Sequence, residues 1–231
     1  MNDRRRTIAN VNVDPLITFG ICPTSEQGVA IAAYSGRRSR MWAWDAHSLE
    51  VLGFQDIKAK VILLDVTESG SHCAYSAEAH HEMEHYIAIS RPPYFRALWL
   101  RNIFHLGARA VVFGRDDQVA WTADERDKNT WGRIIVHTQA PNTPFSFRAV
   151  SWQGAEGLMQ VAEQRCSGAR ECSDLDEIRR AKLCEAWVGQ DPLGRNITVR
   201  DACVCADDTP FLDCRRTPFV AVEPPEWAKS W

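Results

Sequence analysis

The chain has 231 residues, 45% hydrophobic and 25% charged, so it is long enough to bury one sizeable core or two small ones. Its formal net charge of −3 leaves no broad basic surface for a phosphate backbone, which argues against nucleic acid as a partner. No apolar run reaches the roughly 20 residues that span a bilayer, and the start lacks a secretory signal, so we expect a cytoplasmic protein without membrane contact, or else a secreted fragment whose signal was removed.

Apolar segments separated by turn residues predict four or five strands before Gly70. Residues 16–35 (LITFGICPTSEQGVAIAAYS) predict a hairpin, because an apolar run turns through Pro-Thr-Ser-Glu and then resumes. A second turn at 36–39 leads into RMWAWDAH, whose residues alternate between two faces as in a strand. SLEVLGF and KAKVILLDV continue the series.

Two helices are predicted next. Small and polar residues without Gly or Pro fill positions 71–90 and end before Pro92, which is typical of a helix. After the prolines, residues 94–107 place apolar side chains at helical spacing and end on Gly107, a suitable C-terminal cap.

The last part of the chain repeats this order. Strand character returns at 108–123 and continues in WGRIIVHT and FSFRAVSW, after which residues 154–166 and 173–187 predict two more helices. ITVRDACVCA predicts a strand, in which Cys203 and Cys205 share one face and are interpreted as buried thiols rather than as metal ligands or a disulfide.

The order of elements predicts one α+β domain over residues 16–206, between an N-terminal tail at 1–15 and an extended C-terminal tail at 207–231. Helices grouped between sheet segments favour stacked antiparallel sheets covered by helix layers over alternating parallel units.

Two stretches carry a resemblance to a known family. TFGICPTSEQGVAIAAYSGRRS, residues 18–39, resembles the opening of proteasome-type subunits, which are N-terminal-nucleophile hydrolases: a strand led by Thr, Gly-Val near its tenth residue, and Ala-Ala before a Ser and an Arg. AVSWQGAEGLMQVAEQ, residues 149–164, is similar to the turn into that family's third helix. The resemblance implies a four-layer αββα sandwich of two antiparallel sheets flanked by helix pairs.

The same resemblance implies a threonine-type peptidase or amidohydrolase, in which Thr18 is the nucleophile and its freed amine the base. Seventeen residues precede Thr18, however, and Tyr34 and Glu50 fall where the family has an Asp and a Lys, so that Lys58 or Lys60 would have to supply the lysine. These departures imply altered or degenerate catalysis, no cofactor, and a role in oligomer assembly or contact with protein partners.

The stretch AEAHHEMEH contains His-Glu-x-x-His, the signature of many zinc peptidases. On a helix, His81 and His85 would lie one turn apart with Glu82 between them to activate a bound water, and His105 is the best candidate for a third ligand. Both histidines would then lie about 160° from Met83 on the predicted apolar face, taking about 100° per residue. A solvated helix face is therefore favoured over a zinc site.

The sequence leaves three functional hypotheses. The first is a proteasome-like protein with altered threonine-type chemistry and a role in assembly, and the second is a zinc peptidase. The third is an interaction protein without an active site. The fold bears on all three, because it decides whether either set of catalytic residues can converge.

Overall fold

The computed structural model describes residues 15–21, 24–78, 84–104, 111–113, 118–122, 138–139, 146–150 and 189–231. Within these ranges the chain forms sixteen strands in four sheets and one short 3-10 helix, Glu226–Lys229. No helix within them is long and apolar enough to cross a membrane.

The first sheet is an antiparallel meander whose strands follow the order of the chain. Its central strands are buried along almost their whole length, because other layers cover both faces of the sheet. The hairpin predicted at 16–35 and the two strands predicted after it are confirmed. The strands are β1 Leu16–Gly20, β2 Gln27–Tyr34, β3 Arg38–Asp45 and β4 Val51–Ile57.

The second sheet has five antiparallel strands in the order β11-β8-β7-β6-β5. Its edge strand β5 confirms the fifth strand predicted before Gly70. The strands are β5 Lys60–Val66, β6 Cys73–Glu78, β7 Glu84–Ser90, β8 Trp99–Phe104 and β11 Thr138–Gln139.

Two smaller sheets complete the described residues. In the third sheet β10 pairs with β9 antiparallel and with β12 parallel, and the fourth sheet is an antiparallel meander. The third sheet contains β9 Val111–Phe113, β10 Gln118–Thr122 and β12 Ser146–Val150, and the fourth contains β13 Gly189–Gln190, β14 Asn196–Arg200, β15 Cys203–Ala206 and β16 Thr209–Asp213.

Three hydrophobic clusters stack these sheets. The first sheet packs through Val29 and Met41 against the second sheet, and through its opposite face, which includes Phe19 and Trp44, against the fourth. The far face of the second sheet packs against Phe113 of β9. The fourth, first and second sheets therefore form successive layers, with β9 on the outer side of the second sheet.

The predicted α+β class, with two sheets flanked by helix pairs in an αββα sandwich, is wrong: the described layers are sheets. Residues 71–90, predicted as one helix, contain β6 and β7, and residues 94–107 contain β8. The helices predicted at 154–166 and 173–187 lie outside the described residues.

Burial on both faces of β6 explains the error. Cys73, Tyr75 and Ala77 contact the core between the first and second sheets, whereas Ala74 contacts the cluster on the opposite face. The period of the strand is therefore two, but Cys73, Ala74 and Tyr75 are apolar and buried in succession, so an alternation of apolar with polar residues appears only over the last four residues of β6.

Residues 214–231, which we call the C-terminal strap, follow β16 without regular secondary structure apart from the 3-10 helix Glu226–Lys229. The strap begins with the Cys214 amide, which donates to the Ala202 carbonyl at 2.9 Å, and ends at Trp231, which packs against the outer cluster of the second sheet. Between these points it contacts β3 and β4. The segment predicted as an extended tail at 207–231 thus includes β16 and the strap.

Candidate functional site

Thr18, the predicted nucleophile, lies in the middle of β1 and is only 5% exposed. Its Oγ1 accepts a hydrogen bond from the Leu63 amide of β5 at 3.0 Å. Ser39 also binds the backbone of this segment. Its Oγ accepts from the Val61 amide of β5 at 2.9 Å and donates to the carbonyl of Ala59, just before β5, at 2.9 Å. Both hydroxyls satisfy backbone groups on the edge strand of the second sheet, so Thr18 helps to join two layers.

Lys60, the other predicted catalytic residue, is exposed at the start of β5 and pairs in register with Glu78. Side chains alternate along a strand, and Val61 and Leu63 of β5 face the core next to Thr18. Lys60 therefore lies on the outer side of β5 and is separated from the buried hydroxyl. The threonine-type chemistry assigned to this pair stays a prediction.

Of the four predicted zinc-peptidase residues, the structure describes only His85. His81, Glu82 and His105 lie outside the described residues, while His85 belongs to β7, where its backbone pairs with Glu78. Strands rather than helical turns flank the motif. Among the residues that the structure describes, no three His, Cys, Asp or Glu side chains are grouped to hold a metal ion. The zinc site stays a prediction.

A buried charge cluster joins β3 to β4. Arg38 and Arg40 are two residues apart on β3, so both side chains lie on the same face, and Asp56 pairs with Arg40 in register. The Asp56 carboxylate accepts from Arg40 Nε at 2.8 Å and Nη2 at 2.6 Å, and from Arg38 Nη2 at 2.9 Å. Its side chain is fully buried. We call these three residues the Arg-Asp-Arg cluster.

The Arg-Asp-Arg cluster also holds the C-terminal strap. Arg38 Nη1 donates to the Thr217 carbonyl at 2.6 Å, and both arginines donate to the Pro218 carbonyl at 3.0 Å. Arg40 Nη1 donates to the Thr217 hydroxyl, and the Val220 amide donates to Asp56 Oδ2 at 2.8 Å. The cluster therefore fixes the strap to the first sheet by hydrogen bonds to charged groups, which are stronger than neutral ones.

Two guanidinium groups and one carboxylate give the cluster a net charge of +1. Burial alone would raise the pKa of Asp56, but hydrogen bonds from Arg40, the Val220 amide and Arg38 outweigh it and lower that pKa. The hydrogen bond to Asp56 in turn raises the pKa of Arg40. Because the folded pKa of Asp56 is lowered, its contribution to stability is present above its unfolded pKa of about 3.9 and is lost as the pH falls through the folded value.

Buried polar groups surround the start of the strap. The Tyr34 hydroxyl donates to the Cys214 carbonyl at 3.1 Å, and burial, followed by the nearby Cys214, raises the pKa of Tyr34. Burial raises the pKa of the Cys214 thiol to about 12. Cys205 is a buried free thiol, as predicted, while Cys203 is half-buried. Burial also raises the pKa of Cys205, so the thiols of Cys205 and Cys214 are held in their neutral form, which is poorly nucleophilic.

Exposed apolar side chains concentrate on β4 and on the strap. Six large hydrophobic side chains of the described residues are exposed, and all but Leu193 belong to β4 or to the strap. The strap lies against β4 through Gln55 Nε2, which donates to the Val222 carbonyl at 2.6 Å. We use the name apolar surface for the five exposed hydrophobic side chains of β4 and the strap: Val51, Leu52, Phe219, Val220 and Trp227.

The position of Leu52 has a local cause. Ala43 pairs with Gly53 and Trp44 with Val51, so Leu52 is the extra residue of a β-bulge in an edge strand. A bulge interrupts the ladder and re-aims side chains, and Leu52 is 56% exposed. A substitution of Gly53 would bring a Cβ to within 3.3 Å of Pro93, so the neighbouring 92–94 turn lies directly against this part of β4.

No protein-family model, curated protein sequence or solved structure matches the chain. The resemblance to N-terminal-nucleophile hydrolases therefore rests on its motifs alone. Sequence patterns did not single out the cluster or the apolar surface. The available signal was two arginines, at 38 and 40, within a strand that is otherwise almost uncharged.

Proposed function

We propose that this chain is an interaction protein that self-associates through the apolar surface. The supporting observation is that five of the six exposed large hydrophobic side chains of the described residues belong to β4 or the strap. Large apolar side chains that are exposed together on neighbouring elements commonly mark interaction sites on soluble proteins. Self-association agrees with the assembly role that the sequence resemblance implied, and it requires no catalytic residue.

Trp227 supplies the kind of anchor that interfaces use. Its indole is 53% exposed and packs edge-on against the Tyr94 ring, with the centroids 5.5 Å apart. Trp and Tyr are enriched among the residues that contribute most to binding, because they bury a large area at little cost in conformational entropy. An indole that is already positioned by Tyr94 needs little further ordering on contact.

A second copy of the chain is the occupant that suits this surface. Charges of both signs surround Trp227: Lys229 Nζ lies 3.3 Å from Glu223 and 2.9 Å from Glu226, and both carboxylates are largely exposed. In a two-fold contact the surface meets itself, and because it carries both signs of charge, the acidic pair of one copy can pair with the lysine of the other. The bulge at Leu52 disfavours an added strand, so the contact is made by side chains.

Leu52→Lys tests this proposal, with Leu193→Lys as the matched control. Both leucines are exposed, at 56% and 61%, but Leu193 lies outside the apolar surface. We expect Leu52→Lys to raise the dissociation constant of the dimer at least about tenfold, a loss of about 1.4 kcal/mol, because it places an ammonium group in an apolar contact. Leu193→Lys should dimerise like the unchanged protein.

Sedimentation velocity across a range of protein concentrations is the measurement. Denaturant unfolding of each variant at low concentration checks that exposed substitutions change stability by no more than about 0.5 kcal/mol. An unchanged protein that sediments as a monomer at about 0.1 mM, well above ordinary dimer affinities, would contradict the proposal. Equal weakening by both lysine variants would also contradict it.

A further inference from the structure

We propose that Thr217 is a phosphorylation site whose phosphate is bound by Arg38 and Arg40. Thr217 lies in the strap within residues 215–221, all of which are exposed and without regular secondary structure. Such a segment is accessible to a protein kinase. Arg215 and Arg216 precede Thr217 and Pro218 follows it, and charge patterns beside the acceptor are among the features by which kinases select substrates.

The acceptor atom already lies within an arginine pair. Thr217 Oγ1 accepts from Arg40 Nη1, and the carbonyl of the same residue accepts from Arg38 Nη1 at 2.6 Å. A phosphate on Oγ1 would therefore form next to two guanidinium groups that the first sheet holds in place. Arginine pairs of this kind bind phosphate by charge-assisted hydrogen bonds.

The Arg-Asp-Arg cluster carries an excess positive charge and a hydrogen-bond donor that has no acceptor. Its two guanidinium groups outnumber its one carboxylate, and the Nε of Arg38 is buried without a hydrogen-bond partner. Arg38 as a whole is only 9% exposed, so this orphan donor belongs to a side chain fixed beside the strap. A phosphate monoester brings a charge of about −1.5 to −2 and three acceptor oxygens, which complement both features.

The transfer step balances with ATP as the donor. A bond forms between Thr217 Oγ1 and the γ-phosphorus, and the bond from that phosphorus to the β-γ bridging oxygen breaks, so that ADP leaves. The hydroxyl proton passes to the catalytic carboxylate of the kinase. The phosphorylated strap is then held more tightly to β3 and β4, and this gain is independent of self-association.

Phosphothreonine incorporated at position 217 of the full chain tests the binding. In ³¹P NMR titrations we expect the second phosphate pKa to fall by about one pH unit or more from its ordinary value of about 6, because the arginines favour the dianion. The pKa should return to about 6 in urea. Amide exchange of residues 217–222 should slow relative to the unmodified chain.

Phosphothreonine at position 209 is the matched control, because Thr209 is exposed in β16 and outside the cluster. Its phosphate pKa should stay near about 6 in the folded protein. Equal phosphate pKa values at the two positions would overturn the proposal, as would faster exchange of the strap after modification.

A second experiment tests whether the site can be modified. The folded, full-length protein is incubated with a proline-directed protein kinase and ATP, and the modified residue is identified by mass spectrometry. We expect phosphate on Thr217 and its loss in Thr217→Val. Absence of phosphate from Thr217 in the unchanged chain would overturn its assignment as a modification site.

Discussion

Asp56→Ala is expected to lower the free energy of unfolding by about 3 to 5 kcal/mol, because it leaves two buried guanidinium groups without their anion. The same substitution removes the acceptor of the Val220 amide, so the strap loses one of its attachments to β4. Urea denaturation monitored by circular dichroism measures the change. Asp56→Asn keeps the size of the side chain and one acceptor oxygen, so it should cost less and remain measurable if the alanine variant does not fold.

Asp213→Ala is the control for this prediction. Asp213 accepts from Arg215 in an equally close pair, at 2.8 to 3.1 Å, but both side chains are exposed. Exposed pairs of this kind contribute no more than about 1 kcal/mol. If the two alanine variants were equally stable, the structural role of the Arg-Asp-Arg cluster would be refuted.

The pH dependence gives an independent check on Asp56. At pH 7 the carboxylate is ionised in both the folded and the unfolded protein, so the full difference between the unchanged protein and Asp56→Asn is present. Below about pH 3.9 the unfolded carboxyl takes up a proton first, and the difference should shrink as the pH falls through the lowered folded pKa. A difference that grows on acidification would contradict the lowered pKa.

Trp44→Ala is expected to cost about 3 to 5 kcal/mol, because it removes a large side chain from the core between the first and fourth sheets. The indole is completely buried and packs edge-on against Phe211, with centroids 5.5 Å apart. Gly28, its partner in register, leaves the space that it fills, since a Cβ there would lie 2.1 Å from Trp44 Cζ2. The measurement is again urea denaturation.

Trp227→Ala is the matched control, since the same truncation at an exposed position leaves no cavity in the core. We expect it to change stability by no more than about 0.5 kcal/mol at a protein concentration where the chain is monomeric. A loss for Trp44→Ala as small as that for Trp227→Ala would mean that the fourth sheet is not packed on the first as described.

The strands before Gly70 were predictable because their signals are local. The hairpin between β2 and β3 turns through Gly36 and Arg37, with φ of 89° and 55°, and a Gly marks such a position in the sequence. The turn lies between two apolar runs, so both strand ends are visible. Nothing distant in the chain is needed to interpret them.

The prediction of a helix at 71–90 failed for a non-local reason. Its evidence was a run of small and polar residues without Gly or Pro, but Cys73, Ala74 and Tyr75 are all buried in succession. Only the layers on either side of the second sheet make such a run a strand. Pairing of β6 with both β5 and β7 then overrides the weak helical preference of the small residues.

The Arg-Asp-Arg cluster and its contact with the strap could not be predicted from the sequence, because the residues involved are far apart along the chain. Arg40 and Asp56 are 16 residues apart, and the Val220 amide that completes the cluster is 164 residues from Asp56. No spacing pattern connects such distant positions. The apolar surface was hidden in the same way, because it combines one edge strand with a segment predicted as a tail.

Amide hydrogen exchange of the full chain, measured at low and at high protein concentration, tests the self-association of the apolar surface most directly. A dimer through this surface predicts that exchange slows at high concentration in residues 51–54 and 219–227, while the turn that carries Leu193 is unchanged. Exchange that is independent of concentration throughout β4 and the strap, or protection confined to other strands, would contradict the proposed function.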